Sequence, residues 1–127
     1  MEISSEFPFS NDVWPSDITF TLNGTELGTW TSPGDFADTR GKLNPSWWPS
    51  NLNQYGLLKT LRVTHHGTYM DGDPLSQVSI SDLNKTAETW EIRIEVKPDA
   101  ENVGGVTLFG KKFGNHDQDI NFKAYYS

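Results

Sequence analysis

Hydrophobic and polar positions alternate with a period of two along most of this chain, which predicts short, half-buried β-strands. Ile18, Phe20 and Leu22 share one side of a segment whose other side carries Thr19 and Thr21. Asn23-Gly24 follows, the strongest short hairpin signal, and leads into a second strand over residues 25–30. Leu57, Lys59, Leu61 and Val63 alternate with Leu58, Thr60, Arg62 and Thr64. Residues 67–70 predict a short strand that stops at the turn pair Asp71-Gly72, and Val78 with Ile80 predicts another. The cleanest pattern covers residues 90–96, where Trp90, Ile92, Ile94 and Val96 oppose Glu91, Arg93 and Glu95 until Pro98 ends the run. Gly104-Gly105 introduces a strand over residues 106–109. In the closing segment, residues 119–126, Ile120, Phe122 and Ala124 alternate with Asn121, Lys123 and Tyr125. Residues 2–9 predict an opening strand broken by Pro8, and no stretch has the period of an amphipathic helix. Eight or nine short strands between turn signals predict an all-β, antiparallel β-sandwich with a jelly-roll-like arrangement.

One segment departs from the alternation. Residues 31–56 show neither helical nor strand periodicity, yet hold three prolines, three glycines, Trp47, Trp48 and Tyr55. Connections longer than about 12–15 residues are uncommon and are usually functional or disordered. Disordered segments are poor in aromatics, so this loop is expected to be ordered and to carry a binding surface. Pro45 and Pro49 bracket the two tryptophans and restrict the backbone around them. In an extended segment neighbouring side chains point opposite ways, so one tryptophan can bury while the other faces solvent. An outward tryptophan, with Trp30 or Tyr55, would suit stacking on a flat apolar face such as a sugar ring. Asp35, Arg40, Lys42, Asn44 and Gln54 are polar groups near enough in sequence to fix its orientation. The bland alternative, a lid plugging one end of the sandwich, explains the pair equally well.

Composition narrows the partners. The 127 residues suit one domain, 1–127, and aromatics reach 13% against 35% hydrophobic residues overall, which predicts a core of fewer, larger side chains. A formal net charge of −7, with Lys and Arg scattered, argues against nucleic-acid contact by this segment and against an anionic membrane surface. Absence of cysteine removes disulfides, thiolate chemistry and Cys-type zinc sites. No apolar run spans a bilayer and the N-terminal residues do not form a secretory signal, so a cytoplasmic location is expected.

Catalytic and metal chemistry find little support. His65 and His66 are adjacent at a strand end, where they point to opposite faces, and His116 lies in Asn115-His116-Asp117-Gln118-Asp119 without a zinc-ligand spacing. Asp71-Gly72-Asp73 reads as a turn rather than a calcium loop, although a structural calcium stays open. There is no serine-nucleophile motif, and no two of the 17 acidic residues stand out as a glycosidase pair. The expected catalytic residues, resident metal and cofactor are therefore none. The glycine-rich pieces at Gly104-Gly105 and residues 109–114 precede no helix, and read as bulges and turns.

Three motifs in order resemble a known family. They are residues 14–36 with Trp14-Pro15-Ser16-Asp17 and Asn23-Gly24-Thr25-Glu26-Leu27-Gly28; Trp47-Trp48-Pro49-Ser50 followed by Gln54-Tyr55-Gly56-Leu57-Leu58-Lys59-Thr60; and Gly104-Gly105 with Leu108-Phe109-Gly110-Lys111, Phe113-Gly114-Asn115 and Gln118-Asp119-Ile120. Together, over residues 14–126, they resemble the C-terminal β-sandwich of bacterial ArsR-type winged-helix transcriptional regulators. The resemblance implies a sensory domain, the C-terminal part of a longer regulator whose DNA-binding winged helix lies outside these residues. It supplies no ligand and no catalytic residues. The chain departs from the family pattern at Ala37-Asp38-Thr39, where a glycine-rich stretch is expected, and at Lys112, where glycine is common.

The leading expectation is a non-enzymatic ligand-sensing or oligomerisation module with a carbohydrate-like effector. Trp30, Trp47, Trp48 and Tyr55 would form the wall, and Asp35, Arg40 and Lys59 the polar anchors. The alternatives are a homodimerisation domain without a ligand, its aromatic loop packed at the interface, and a small glycan-processing enzyme with two convergent carboxylates.

Overall fold

The computed structural model describes residues 1–7, 11–86 and 88–125. Among these residues nine strands follow in chain order: β1 (Glu2–Glu6), β2 (Ser16–Leu22), β3 (Thr25–Ser32), β4 (Leu57–Leu58), β5 (Leu61–Val63), β6 (Thr68–Met70), β7 (Asp73–Ser76), β8 (Ile92–Val96) and β9 (Gly105–Phe109). They pair antiparallel in three small sheets ordered β4-β1-β9, β3-β2-β8 and β5-β6-β7. The chain is all-β and sandwich-like, with no α-helix among the described residues. Among the described residues no helix is long and apolar enough to cross a membrane.

Local chemistry explains the tightest connections. Asn23 and Gly24 have φ of 48° and 81°, and Asp71 and Gly72 have 51° and 87°. A two-residue turn with both centres at positive φ matches the strand twist, and Asn, Asp and Gly tolerate that region best. In the central sheet β2 lies between its partners, with Ile18 opposite Trp30 and Val96, and Phe20 opposite Gly28 and Ile94. Gly28 sits beside a bulge at φ 145°, and a Cβ there would come within 2.7 Å of the Leu75 side chain. Its missing side chain lets β7 approach β3.

Ile3, Ile18, Phe20, Leu22, Leu27 and Met70 form the buried apolar cluster, drawn from all three sheets. Each such side chain contributes about 1.5–3 kcal/mol relative to exposure. The expected core of fewer, larger side chains forms in part. Phe20 and Phe109 are buried, but Trp30 and Trp90 only flank the cluster, while Trp14, Trp47, Phe122 and Tyr125 are exposed. Among the described residues, seven buried apolar side chains are outnumbered by ten buried polar ones, which include Glu2, Ser4, Ser5, Ser32, Asp35, Asn53 and Gln54. These seven lie on β1, at the end of β3 (Ser32) and on the segment joining β3 to β4, so hydrogen bonds hold that side of the molecule together.

Three expected strands change. The alternation over residues 57–64 divides between two sheets, because Lys59 donates its N–H to Met1 O at 2.8 Å and Thr60 donates to Asp71 Oδ1 at 2.8 Å. Ile80 belongs to a 3-10 turn, Ile80–Asp82, where the Asp82 carboxylate accepts the Ser79 N–H at 2.9 Å. The strand before it is β7, which carries Pro74; it lies at a sheet edge, the position that tolerates a missing N–H. Residues 119–125 pair with no strand. Asp119 instead accepts the Lys111 N–H at 3.0 Å and Phe122 packs 5.6 Å from the Trp90 ring. Of the expected opening and closing strands, Pro8, Phe9 and Tyr126 lie outside the described residues.

Candidate functional site: an aromatic platform on the long loop

Turn chemistry builds the loop between β3 and β4. Asn44 N–H donates to Gly41 O, Trp48 N–H to Pro45 O and Leu52 N–H to Pro49 O, at 3.2, 3.0 and 3.2 Å. Three successive turns of this kind leave no room for either strand or helix periodicity. Phe36 and Tyr55 form the one bridge across the loop's base among the described residues.

Gln54 fastens the turns to one another. It is 1% exposed, and its amide donates to Pro49 O at 2.7 Å and Leu52 O at 3.0 Å. Its carbonyl oxygen accepts from Gly41 N–H at 3.3 Å and from Asn44 Nδ2 at 3.0 Å. Buried amides are costly unless satisfied, and this one is paired at both ends. Arg40 completes the frame by donating to the carbonyls of Pro45 and, at 3.2 Å, Trp48.

A second set of bonds ties the loop to the turn at residues 110–116. Asn44 Oδ1 accepts the Gly114 N–H at 2.6 Å, Leu43 N–H donates to Gly114 O at 2.8 Å, and Lys42 N–H donates to Asn115 Oδ1 at 2.9 Å. Beneath this seam lies Glu2, 0% exposed. Its carboxylate accepts the main-chain N–H groups of Gly56 at 2.9 Å, Asn115 at 3.0 Å and His116 at 3.0 Å. Successive N–H groups after a left-handed residue form an anion-holding nest, and here the anion belongs to the protein itself. Gly114 provides the left-handed residue at φ 71°, and a Cβ there would fall 2.4 Å from Glu2 Oε2.

The seam brings Phe113 to the tryptophans. Trp47 and Trp48 meet edge-on with centroids 5.9 Å apart, and Phe113 lies 6.3 Å from Trp47 and 5.7 Å from Trp48. Trp48 is half-buried and donates its indole N–H to Asn53 O at 2.9 Å, whereas Trp47 is 69% exposed. The two tryptophans thus divide as adjacent residues can, one anchoring and one presented. Edge-to-face contacts add about 0.5–1.5 kcal/mol per pair beyond burial, which helps hold the presented ring still.

The remaining expected site residues lie in other surroundings. Tyr55 stacks on Phe36 at 5.3 Å and donates its hydroxyl to Asp38, a bond that pushes the phenol up to about 12. Trp30 is on β3, with the Lys59 ammonium 5.1 Å from its ring centre and the same ammonium 3.1 Å from Asp71. Asp35 is enclosed at 1% exposure, where Oδ2 accepts the Phe7 N–H at 2.8 Å and Oδ1 has no partner among the described residues. Burial pushes its carboxyl above the ordinary range against the pull of that bond. The ring pairs and hydrogen bonds therefore bring together Trp47, Trp48 and Arg40, while Tyr55, Trp30 with Lys59, and Asp35 each have separate partners.

Phe113 and Glu2 are the contributors that sequence reading passes over. Phe113 sits in a Gly-rich run read as a simple turn, and the signal available was its aromatic ring between Gly110 and Gly114. Glu2 has no local signature, since its partners are 54 to 114 positions away. Among the described residues no three His, Asp or Glu side chains converge to hold a metal ion. No protein-family model matches the chain, and neither a curated protein nor a solved structure matches it.

Proposed function

We propose that this domain is a non-enzymatic binding module in which Trp47, backed by Trp48 and Phe113, stacks on the flat apolar face of a carbohydrate-like small molecule. The observation that carries this reading is a 69%-exposed tryptophan held on a hydrogen-bonded loop against the rings of Trp48 and Phe113. An exposed aromatic ring on a rigid support loses little entropy on binding, and polar groups at its margin fix orientation. Arg40 holds the support from within the loop, and Ser46 and Ser50 are the exposed polar residues closest to Trp47 in sequence. In the context implied by the resemblance to ArsR-type regulators, such a module would be the cytoplasmic effector-sensing part, with DNA contact made elsewhere.

Titration with a panel of neutral sugars while following tryptophan fluorescence tests the reading. Saturable quenching or a blue shift is expected, with the response lost in Trp47→Ala and weakened in Phe113→Ala. Equal responses from wild type and Trp47→Ala, or none from any sugar, would overturn it.

A second reading, self-association, is favoured by the exposed apolar side chains Ile92, Leu108, Ile120 and Phe122 on and beside the edge strands β8 and β9. Unpaired strand edges are templates for pairing with another copy. Sedimentation velocity across a dilution series decides it, since a single monomeric species at every concentration removes this reading and leaves the first untouched.

A further inference from the structure

The outer face of the small β5-β6-β7 sheet carries a hollow of about 570 Å³, remote in sequence from the aromatic platform. Period-2 geometry turns Leu61, Val63, Thr68 and Met70 inward, where they are buried or half-buried, and turns Thr60, Arg62, Thr64 and Tyr69 outward into the hollow. Arg62 and Tyr69 are directly opposed in the ladder, so a guanidinium and a phenol share its floor.

Both ends of the hollow are fixed by hydrogen bonds. At one end Asp71 Oδ1 accepts the Thr60 N–H at 2.8 Å, while Asp71 N–H donates to Thr60 O at 2.9 Å. At the other, Thr64 hydroxyl donates to Gly67 O at 3.1 Å and accepts the His66 N–H at 3.0 Å, placing His66 at the rim.

Charge gives the hollow its chemistry. Asp71 is the one carboxylate on its wall, and the Lys59 ammonium already neutralises it at 3.1 Å. The two ion pairs among the described residues are Lys59–Asp71 and Lys97–Glu26, and neither engages Arg62. In a chain of net charge −7 the hollow's lining thus presents a guanidinium that enters neither ion pair. Arg62 presents a planar fork of donors matched to a two-oxygen anion, Tyr69 adds a hydroxyl and a flat face, and Thr60 adds a further hydroxyl. The volume falls within the range of small-ligand sites.

We propose that this hollow binds an oxyanion, carboxylate or phosphate, carried on a hydroxylated body of about one sugar ring. The guanidinium of Arg62 takes two anion oxygens, the Tyr69 ring and hydroxyl flank the body, and the threonine hydroxyls meet its polar rim. This site stands independently of the aromatic platform. The anion recognition is its distinguishing property, because the platform's contact groups are the rings of Trp47, Trp48 and Phe113 and its Arg40 guanidinium is engaged by main-chain carbonyls.

The test is a backbone and arginine side-chain NMR titration of the full chain with glucuronate, glucose 6-phosphate and neutral glucose. Saturable shifts at residues 60–64 and 68–72 with either anion, at least about tenfold weaker with glucose, are expected, and the two anions separate carboxylate from phosphate preference. Arg62 is exposed, so Arg62→Gln should fold normally and weaken anion binding about tenfold or more, as loss of a charge-assisted pair requires. Tyr69→Phe should weaken it less. Trp47→Ala should leave these shifts unchanged, so failure here and failure of the platform are distinguishable. Anion shifts that persist in Arg62→Gln, glucose binding as well as glucuronate, or no shifts on this face would each overturn the proposal.

Discussion

Replacing Glu2 by Gln should loosen the whole seam that supports the aromatic platform. The native carboxylate accepts three main-chain N–H groups, from Gly56, Asn115 and His116, at 2.9–3.0 Å and with no exposure to water. Gln has nearly the same shape but only one acceptor oxygen, and its amide nitrogen turns two further donors toward N–H groups. At least one charge-assisted bond is lost and one buried donor stranded. The first costs about 1.5–3 kcal/mol and the second about 1–3 kcal/mol, so a destabilisation of about 2.5–6 kcal/mol is expected. A domain of this size has only about 6–19 kcal/mol in total. With a urea dependence of about 2 kcal/mol/M, the unfolding midpoint should fall by about 2 M. Glu91→Gln, at an exposed position, serves as the control and should stay within about 0.5 kcal/mol of wild type. A Glu2→Gln protein whose midpoint matches that of Glu91→Gln would refute the reasoning.

Lys112 occupies a left-handed conformation at φ 68° where glycine carries no steric penalty, so Lys112→Gly should raise stability by up to about 1 kcal/mol, read from urea unfolding. A loss of stability would count against strain at that turn. Asp17 is held below its ordinary 3.8 by the Thr31 hydroxyl and then by the Asn102 N–H. Its contribution is present above that pH and is lost as pH falls through the lowered value, so Asp17→Asn should be less stable than wild type at pH 7 and converge with it in acid. Tyr55 should ionise only near pH 12, so a phenolate-absorbance titration should lose its highest component in Tyr55→Phe. Because this acid's value is raised, its stabilising effect is complete below about pH 10 and disappears as pH rises towards 12.

What was legible in the sequence is what local chemistry decides. Asn23-Gly24 and Asp71-Gly72 dictate their own turns through positive φ, and the alternation of Ile18, Phe20 and Leu22 places their strand in the core before any partner is known. The alternation over residues 119–125 misleads for the complementary reason. A period of two says which face a strand would present, not whether an edge is there to pair with it. Ile80 fails likewise, since Ser79 and Asp82 satisfy a local turn that competes with extension. Length and aromatic content marked the loop over residues 31–56 correctly as ordered structure, yet Phe113 and Glu2 lie at least 65 and 45 positions away from Trp47 and Trp48. Contacts of that separation leave no mark on either segment alone. Trp30, Tyr55 and Asp35 were grouped with the tryptophans by proximity in sequence, and antiparallel pairing and burial give each its own neighbours.

The indole N–H resonances of the five tryptophans provide the decisive measurement, followed in one NMR titration with the neutral sugar giving the largest fluorescence response. Stacking on the platform predicts that the Trp47 signal moves saturably, that the Trp48 signal follows to a smaller extent because its N–H is engaged by Asn53 O, and that Trp30 and Trp90 stay in place. A titration in which Trp30 or Trp90 shifts while Trp47 remains fixed would contradict the assignment of the binding surface to this loop.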